Sequence, residues 1–418
     1  MSSDLQLKVD ALVQEAAKGP LPAVGFEAYT RDGSRIVSSF AGVQSREDDP
    51  PKPVTPDTAV FMASCTKLFT SVSALQLVEK GVIALDEPVG KFVPQVDELE
   101  ILEGFGEDGE AKLRKPKRRI TLRHLLTHSS GLAYGFSSPE VAKWLEANKG
   151  AGDPAYQAFE GPLFRPLLFE PGEGFVYGVS TDVVGLVVQK ASGLTLEEYI
   201  RENITTPLQI AQHISFLPEH FSKEGRLATQ YNRGPDGQLT VSVFPSHILL
   251  GKEGPFKFHG GGGIFGTAPA YIQLLLALVN GGAHPTTRVR ILQPETVTLL
   301  TTPQFDPATQ PAAFSGLDQS GFIAEPETVP GHSWHNFRSI KKNHGLGGLI
   351  VGEGWKTGRS GHCLSWSGMF NTNWWIDLDK GVVGFFLAQV LPFGDPHAFG
   401  LFEQLETAVY EELAARSA

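Results

Sequence analysis

The chain has 418 residues, of which 41% are hydrophobic and 19% charged, as is typical of a globular protein with more than one structural region. Its net charge of −11 argues against nucleic acid or an anionic membrane surface as the main partner. Cys65 and Cys363 are too few for a disulfide framework and are expected to be buried free thiols. The chain has neither a long apolar run nor a signal-peptide core, so we expect a cytoplasmic protein without membrane spans.

Apolar periodicity and turn residues divide the chain into helices, strands and loops. The predicted helices lie at residues 2–18, 64–78, 183–191, 195–203, 268–279 and 397–415. The predicted strands lie at residues 23–30, 35–43, 347–352, 363–366, 372–378 and 382–390. Thr121 is expected to cap a further helix, and the charged segment 103–119 is predicted to be a surface loop.

Strands at both ends of the sequence with helices between them predict an α+β fold. We expect the strands to join in one antiparallel sheet flanked by helices, with a mostly helical region beside it. The predicted domains are a discontinuous sheet domain of residues 1–85 and 255–418 and a mainly helical domain of residues 86–254. The glycine run 260–263 is expected to let backbones approach closely, because it lacks the Lys-Ser/Thr of a phosphate-binding loop.

A Ser-x-x-Lys motif, Ser64 to Lys67, opens the second predicted helix. Residues three apart share one face of a helix, so the serine hydroxyl and the lysine amine can meet. A serine becomes a nucleophile when an adjacent base takes its proton, and a lysine removed from water can be that base near neutral pH. Ser-x-x-Lys also occurs by chance in chains of this length, so the assignment depends on the motifs that accompany it.

Two further motifs accompany Ser64. Tyr177 follows a Pro-Gly turn and precedes a helix, so it can be held rigidly and relay a proton; the alternative is a half-buried structural tyrosine. The segment 365–371 lies on or beside a late strand, whose edge can offer a backbone N–H to an oxyanion; the alternative is a plain hairpin. The N–H of Ser64 would be the second donor.

Together these motifs resemble the serine β-lactamase and penicillin-binding-protein superfamily, in its class C-like branch with the family VIII esterases. A narrower resemblance, to the fungal acyltransferases of statin biosynthesis, is carried by residues 63–70, 120–132, 176–178 and 373–377. The likeness covers essentially the whole chain and implies a β-lactamase-like fold with the active site at the junction of the two domains. It implies that Ser64 is the acyl-forming nucleophile, Lys67 its base and Tyr177 a group that shares or relays the proton.

The resemblance also implies a substrate pocket beside the late strand. A backbone N–H at Gly368 or Met369 would join that of Ser64 in an oxyanion hole. Trp366 and Ser367 would line the pocket, with Trp366 beside an apolar acyl group or acceptor.

Two departures from the β-lactamase pattern favour neutral esters or thioesters over β-lactams and D-alanyl peptides. The Tyr-x-Asn of that branch is Tyr177-Gly178-Val179 here, so the amide that orients a lactam side chain is missing. Its Lys-Thr-Gly or His-Ser-Gly is Trp366-Ser367-Gly368 here, which loses the cation that pairs with a substrate carboxylate. A literal Lys356-Thr357-Gly358 triplet, in a predicted loop, is the alternative third motif.

The histidines indicate no metal site. His124 and His128 lie four apart on a predicted helix, but no glutamate follows His124, so the zinc-protease pattern fails. The remaining candidates lack ligand spacing: His332, His335, His344 and His362. We expect neither a metal nor a cofactor.

The motif departures and the resemblance together imply a serine acyltransferase that moves a short acyl group from a thioester or ester to an alcohol of a small secondary metabolite, through an acyl-Ser64 intermediate. The expected partners are a small-molecule acyl donor and an alcohol acceptor, with an acyl carrier domain or a polyketide synthase as the natural source of the acyl group. No nucleic-acid or membrane partner is expected. The alternatives are a carboxylesterase acting on small esters or lactones, a β-lactamase or D,D-peptidase, and a non-catalytic scaffold.

Overall fold

The structure, a computed structural model, describes residues 3–152, 157–158, 160–242, 258–319 and 341–417. Its helices in chain order are α1 (Ser3–Lys18), α2 (Thr66–Glu79), α3 (Leu122–Leu126), α4 (Pro139–Ala147), α5 (Ser180–Ser192), α6 (Leu196–Ile200), α7 (Glu219–Ser222), α8 (Ala268–Val279), α9 (Pro294–Thr301), α10 (Pro311–Gln319) and α11 (Pro396–Ser417). A 3-10 turn, Ala63–Cys65, precedes α2, and a π-helical turn, Arg201–Thr205, continues α6. The predicted helices are present, and Thr121 caps α3 through its side chain.

The strands in chain order are β1 (Ala23–Thr30), β2 (Arg35–Gly42), β3 (Val60–Phe61), β4 (Ile101–Phe105), β5 (Ala111–Arg114), β6 (Gln157–Ala158), β7 (Gly161–Pro162), β8 (Ile214–Ser215), β9 (Tyr231–Arg233), β10 (Leu239–Val241), β11 (Phe265–Gly266), β12 (Lys342–His344), β13 (Leu349–Val351), β14 (Cys363–Gly368), β15 (Thr372–Asp377), β16 (Val382–Leu387) and β17 (Val390–Leu391). Seven of them form one sheet in the order β12-β13-β14-β15-β16-β1-β2, and every neighbouring pair is antiparallel. The two ends of the sequence therefore build one antiparallel sheet, as predicted.

Helices cover both faces of this sheet. Successive strand residues point to opposite faces, so neighbouring residues of one strand pack against different helices. In β15, Trp375 packs against Phe26 of β1 and Phe402 of α11 on one face, which α1 also covers. Its neighbour Trp374 packs against Tyr271 of α8 on the other face. The predicted α+β architecture, an antiparallel sheet flanked by helices, is confirmed.

Helix α2 lies between the sheet and the helical middle of the chain. Residues 66–77 are buried on every side of the helix, which is the pattern of a helix inside a core. Phe69 of α2 packs edge-on against Tyr271 of α8, with ring centroids 5.5 Å apart. Val183 and Leu186 of α5 belong to the same hydrophobic cluster. This packing fixes the position of the Ser64 turn at the N-terminal end of α2.

The prediction of a surface loop at residues 103–119 is wrong in its first part, where β4 and β5 pair as an antiparallel hairpin. Gly109, at φ +84°, supplies the left-handed residue that its turn requires. The Leu102 N–H donates to the Leu167 carbonyl oxygen over 2.8 Å, which ties the hairpin to the body of the protein. The strands are only five and four residues long and Gly104 interrupts the first, so the pattern that indicates a strand is short and broken here.

The predicted domain division stays a prediction. Its second boundary, between residues 254 and 255, lies outside the described residues. Within the described ranges, no helix combines the length and the apolar character needed to cross a bilayer.

Candidate active site

Ser64 and Lys67 meet at the start of α2. Ser64 lies in the 3-10 turn and Lys67 in the first helical turn that follows. The Lys67 Nζ donates to the Ser64 Oγ over 3.2 Å and to the Gly261 carbonyl oxygen over 2.7 Å. Because Lys67 is only 5% exposed, its amine is shielded from water and held between two oxygen atoms.

The backbone just before Ser64 has an unusual conformation. Ala63 has φ +44°, a region that residues with a Cβ atom rarely occupy. The Thr66 Oγ1 donates to the Ala63 carbonyl oxygen over 2.6 Å and accepts from the Ile264 N–H over 3.0 Å. These bonds from α2 and from the segment leading to β11 enforce the turn. Enforced strain of this kind is common where a side chain must be presented in one orientation.

Tyr177 completes the group around Ser64. Its hydroxyl lies 2.7 Å from the Ser64 Oγ. The Lys67 Nζ lies over the Tyr177 ring, 4.7 Å from its centroid, where a cation is attracted to the π face. A Cβ atom at Gly178 would collide with the Leu132 carbonyl oxygen, so the glycine lets the Tyr177 segment lie directly against its neighbour. The structure therefore brings the three predicted catalytic side chains together.

Strand β14 brings part of the third motif to the same place. At its end, Gly368 lies directly against the turn that carries Ser64, since a Cβ atom there would collide with the Met62 carbonyl oxygen. Trp366 points to the same face of the sheet as Gly368, with its ring 5.5 Å from the Tyr177 ring. The glycine thus allows the strand backbone to approach the Ser64 turn.

The other two predicted pocket residues are placed differently. Ser367 points to the opposite face of the sheet, because strand residues alternate, and its hydroxyl donates to the Asn373 Oδ1. Met369 begins the turn after β14 and packs at the edge of the cluster that contains Phe61 and Phe370. The structure therefore does not bring the Ser367 side chain to the face that carries Ser64.

The literal Lys356-Thr357-Gly358 triplet lies against α11 instead. The Lys356 Nζ pairs with the Glu403 carboxylate over 2.9 Å. Gly358 packs against the Tyr410 side chain so closely that a Cβ atom would not fit. Helix α11 covers the face of the sheet opposite to Trp366, so this triplet is remote from Ser64.

His128 and His344, which the sequence did not indicate as pocket residues, form an aromatic wall with Tyr177 and Trp366. The His128 ring lies 4.9 Å from the Tyr177 ring and 5.7 Å from the His344 ring, which lies 5.5 Å from Trp366. Burial lowers the pKa of His128 well below its ordinary value and lowers the pKa of His344 to about 4. Both imidazoles are neutral at physiological pH, so this wall is uncharged and mostly aromatic.

Sequence analysis also missed Asp182, which lies behind Lys67. It is 4% exposed, its Oδ1 accepts from the Gly261 N–H over 2.9 Å, and its Oδ2 accepts from the Tyr134 hydroxyl over 3.4 Å. Burial would raise the pKa of Asp182, but the contact with His259 and the Lys67 charge hold that pKa below its ordinary value. The side chain is therefore a buried carboxylate. An acidic residue in the first turn of a helix is common, so neither the type nor the position of Asp182 indicated a role in the site.

The His124 side chain has a structural role. The His124 Nδ1 accepts from the Thr121 N–H over 3.2 Å at the start of α3, and burial lowers the pKa of His124 to about 4. In the part of the chain that the structure describes, no group of three or more His, Cys, Asp or Glu side chains could hold a metal ion. His332 and His335 lie outside the described residues.

Cys65, which lies between the serine and the lysine in sequence, faces away from both. Its Sγ lies 3.4 Å from the Thr372 Oγ1 inside the core. Burial raises the pKa of Cys65 and of Cys363 to about 12, so both thiols stay protonated. The prediction of packed free thiols is confirmed.

Comparison with known proteins decides the family. The Beta-lactamase family model matches residues 9–408. The chain belongs to the beta-lactamase family. It is 32% identical to monacolin J acid methylbutanoyltransferase of Aspergillus terreus over 366 residues, which cover 86% of this chain and 84% of the relative.

Two further members of the family are similar over almost the whole chain. The lovastatin esterase of Penicillium rubens is 29% identical over 93% of this chain and 94% of its own length. A solved structure of a simvastatin synthase mutant from Aspergillus terreus superposes with a TM-score of 0.84 at 28% identity, over 99% of this chain and 96% of that one. The predicted family and β-lactamase-like fold are confirmed, and the chain is an acyltransferase or esterase of this family, as predicted.

Proposed function

We propose that this member of the beta-lactamase family is a serine acyltransferase, which moves a short acyl group from a thioester or ester to an alcohol of a small secondary metabolite. One observation carries the proposal: the Ser64 Oγ lies within hydrogen-bond distance of both the Tyr177 hydroxyl and the Lys67 amine, at 2.7 and 3.2 Å. A serine hydroxyl held beside a phenol and an amine is suited to nucleophilic catalysis, because either neighbour takes its proton when deprotonated.

The chemistry follows from this geometry. Ser64 attacks the acyl carbonyl while Tyr177, with Lys67, takes its proton; a C–O bond forms, the C–S bond of the donor breaks, and the proton passes to the leaving thiolate. The oxyanion accepts from the Ser64 N–H and from the N–H of Gly368 or Met369. In the second half of the reaction, an alcohol attacks the acyl-Ser64 carbonyl and the bond to the Ser64 Oγ breaks. Tyr177 and Lys67 take the alcohol proton and return it to Ser64.

The substrate is neutral and apolar near the reacting carbonyl. Where β-lactamases of this branch have an asparagine, Val179 is wholly buried in the core and offers nothing to a lactam side chain. Where they have a cation on the late strand, Trp366 contributes an indole to an aromatic wall with Tyr177 and His344. Both positions support esters and thioesters over β-lactams.

The names of the relatives narrow the substrate class. One relative transfers a methylbutanoyl group to monacolin J acid, which supports an alcohol of a small secondary metabolite as the acceptor here. The acyl donor is a small thioester or an acyl carrier domain of a polyketide synthase. The likeness to lovastatin esterase supports one second candidate, a carboxylesterase, in which water replaces the alcohol.

The organisation predicted from the sequence fits this proposal. Ser64 and Gly368 come from the proposed sheet domain of residues 1–85 and 255–418, and Tyr177 comes from the proposed helical domain of residues 86–254. We place the active site at their junction. The two free buried thiols suit a reducing compartment such as the cytoplasm.

Intact-mass spectrometry after incubation with a short-chain acyl thioester tests the proposal. The wild type should gain one acyl mass and Ser64→Ala should gain none. Adding an alcohol should then clear the adduct faster than water alone does; equal rates would favour the esterase. The absence of any adduct, together with hydrolysis of a chromogenic cephalosporin, would instead assign the protein to the β-lactamases. If neither substrate is consumed, the scaffold alternative stands.

A further inference from the structure

A continuous set of contacts links Asp182 to Ser64 through one glycine. The Asp182 Oδ1 accepts from the Gly261 N–H over 2.9 Å. The carbonyl oxygen of the same glycine accepts from the Lys67 Nζ over 2.7 Å, and that amine donates to the Ser64 Oγ over 3.2 Å. Asp182 and Lys67 thus contact the two polar atoms of the same backbone residue.

The position of Asp182 is unusual for a residue that only begins a helix. A carboxylate at a helix start is normally solvated and binds the N–H groups of its own helix. Asp182 is 4% exposed, and its Oδ1 instead reaches across 79 residues of sequence to Gly261. A buried carboxylate is costly unless hydrogen bonds and cations compensate it. Here His259, Lys67 and the Gly261 N–H provide that compensation.

The glycine itself is needed for this arrangement. A Cβ atom on Gly261 would lie 2.6 Å from the Asp182 Oδ2, too close for the carboxylate to stay in place. The neighbouring Gly260 is also enclosed, since its Cβ atom would lie 2.6 Å from the Thr181 carbonyl oxygen. The segment therefore passes between α2 and α5 with no room to shift, and the Asp182 bond sets where the Gly261 carbonyl points.

We infer that Asp182 is a positioning residue for Lys67: its carboxylate holds the Gly261 backbone, whose carbonyl oxygen orients the lysine amine toward Ser64. The inference rests on the proposed function in that it assigns Ser64 as the nucleophile. Displacement of a catalytic group by about 1 Å can cost about 100-fold in rate, so loss of this support should slow attack by Ser64 without weakening substrate binding.

The test measures the reactivity of Ser64 with an alkyl fluorophosphonate, which needs no knowledge of the natural donor. In that reaction the Ser64 O–P bond forms, the P–F bond breaks, fluoride leaves, and the hydroxyl proton passes to Tyr177 and Lys67. Rates are measured per folded molecule for wild type, Asp182→Ala, Asp182→Asn and Ser180→Ala. Ser180 is the matched control, because it lies in the same helical turn and its hydroxyl bonds the Ser130 hydroxyl over 2.8 Å instead of the glycine segment.

We expect Asp182→Ala to label about 100-fold more slowly than the wild type. Asp182→Asn keeps an oxygen for the Gly261 N–H and should recover most of the rate, and Ser180→Ala should label normally. With a thioester donor, kcat should fall in Asp182→Ala while KM stays unchanged. Wild-type labelling in Asp182→Ala, or an Asp182→Asn as slow as Asp182→Ala, would overturn the inference.

A second variant keeps the test decisive if Asp182→Ala does not fold. Gly261→Ala retains the carboxylate but displaces it, so it should slow labelling as well. Where Asp182→Ala does fold, the double variant should lose less than the product of the two separate losses. Gly261→Ala at the wild-type rate contradicts the inference. A wild type that reacts with the fluorophosphonate but forms no adduct with either a thioester or an ester donor would refute the proposed function and leave the Asp182 result standing.

Discussion

The Tyr177 hydroxyl lies 2.7 Å from the Ser64 Oγ, closer than the Lys67 amine at 3.2 Å. We predict that the serine proton leaves through the phenol, with the Lys67 amine beside it. Lys67 is anchored to the Gly261 carbonyl oxygen, which holds its amine beside the Ser64 Oγ and over the Tyr177 ring.

Tyr177→Phe should therefore reduce the rate of acyl-enzyme formation by about 100- to 10,000-fold, the usual contribution of a positioned acid or base. Single-turnover mass spectrometry with a thioester donor measures this rate. Tyr199→Phe is the matched control. The Tyr199 hydroxyl also lies near a lysine, 3.5 Å from the Lys80 Nζ, but Tyr199 is on α6 and does not contact Ser64. Near-normal acylation in Tyr177→Phe would assign the proton transfer to Lys67 alone.

The contact between Ser64 and Lys67 could be predicted because the two residues are close in sequence. The fold could be predicted because its strands and helices follow repeating patterns of apolar residues. Ser64 and Lys67 are three residues apart, so helix geometry alone brings them together. The sheet strands are apolar runs between turn residues, which is the pattern of buried strands. The strand that carries Trp366 was predicted in the same way, although it extends to Gly368 rather than ending at residue 366.

The parts that sequence analysis missed depend on contacts between distant segments. The partner of Lys67 is a backbone carbonyl oxygen, which every residue has, so no residue type marks Gly261 as special. Asp182 looks like an ordinary acidic residue at the start of a helix until the fold places it against that glycine. By contrast, alternation along a strand already implied that Trp366 and Ser367 cannot face the same side of the sheet.

The two cysteines should be unreactive in the folded protein. Burial raises the pKa of Cys65 and of Cys363 to about 12, so the thiolate that reacts with alkylating agents is almost absent near neutral pH. Iodoacetamide at pH 7.5 should leave acylation of Ser64 unchanged, and mass spectrometry should show alkylation only after denaturation. Rapid alkylation of native protein at Cys65 with loss of activity would show that the start of α2 opens readily.

Glu27 should make the protein less stable as the pH rises. Its carboxyl group is 2% exposed on β1, and burial, only partly offset by the Ser38 hydrogen bond, raises its pKa to about 7. The folded protein holds this proton more tightly than the unfolded chain, so the stabilising effect is complete below about pH 4.5 and is lost as the pH rises through 7. Above pH 7 the folded protein contains a buried carboxylate whose Oε2 has no hydrogen-bond partner.

Glu27→Gln should therefore increase the free energy of unfolding at pH 8 by about 1–3 kcal/mol and change it little at pH 5. Urea unfolding at the two pH values measures the difference, and subtracting the wild type removes the contributions of other titrating groups. Glu47→Gln, at an exposed position, is the control for the change in net charge. The same effect of Glu27→Gln at both pH values would contradict the assignment.

The loop that contains Lys356-Thr357-Gly358 should contribute to stability rather than to catalysis. Just after it, Arg359 forms an ion pair with Glu406 of α11, and the two side chains are only 6% and 1% exposed. The Arg359 guanidinium also stacks over the Trp375 ring, 5.3 Å from its centroid. Removing one member of a buried pair leaves the other charge uncompensated, which is more costly than removing both.

Glu406→Gln should lower the free energy of unfolding by about 3–5 kcal/mol, and the double variant Arg359→Met/Glu406→Leu should recover most of that loss. Equilibrium unfolding in urea measures both variants, with Lys356→Met as the control for loss of the exposed Lys356–Glu403 pair, which should cost about 1 kcal/mol or less. Acylation of Ser64 per folded molecule should be the same in all of them, because α11 covers the other face of the sheet. A loss of acylation in Lys356→Met that exceeds its loss of stability would instead support Lys356-Thr357-Gly358 as the third motif.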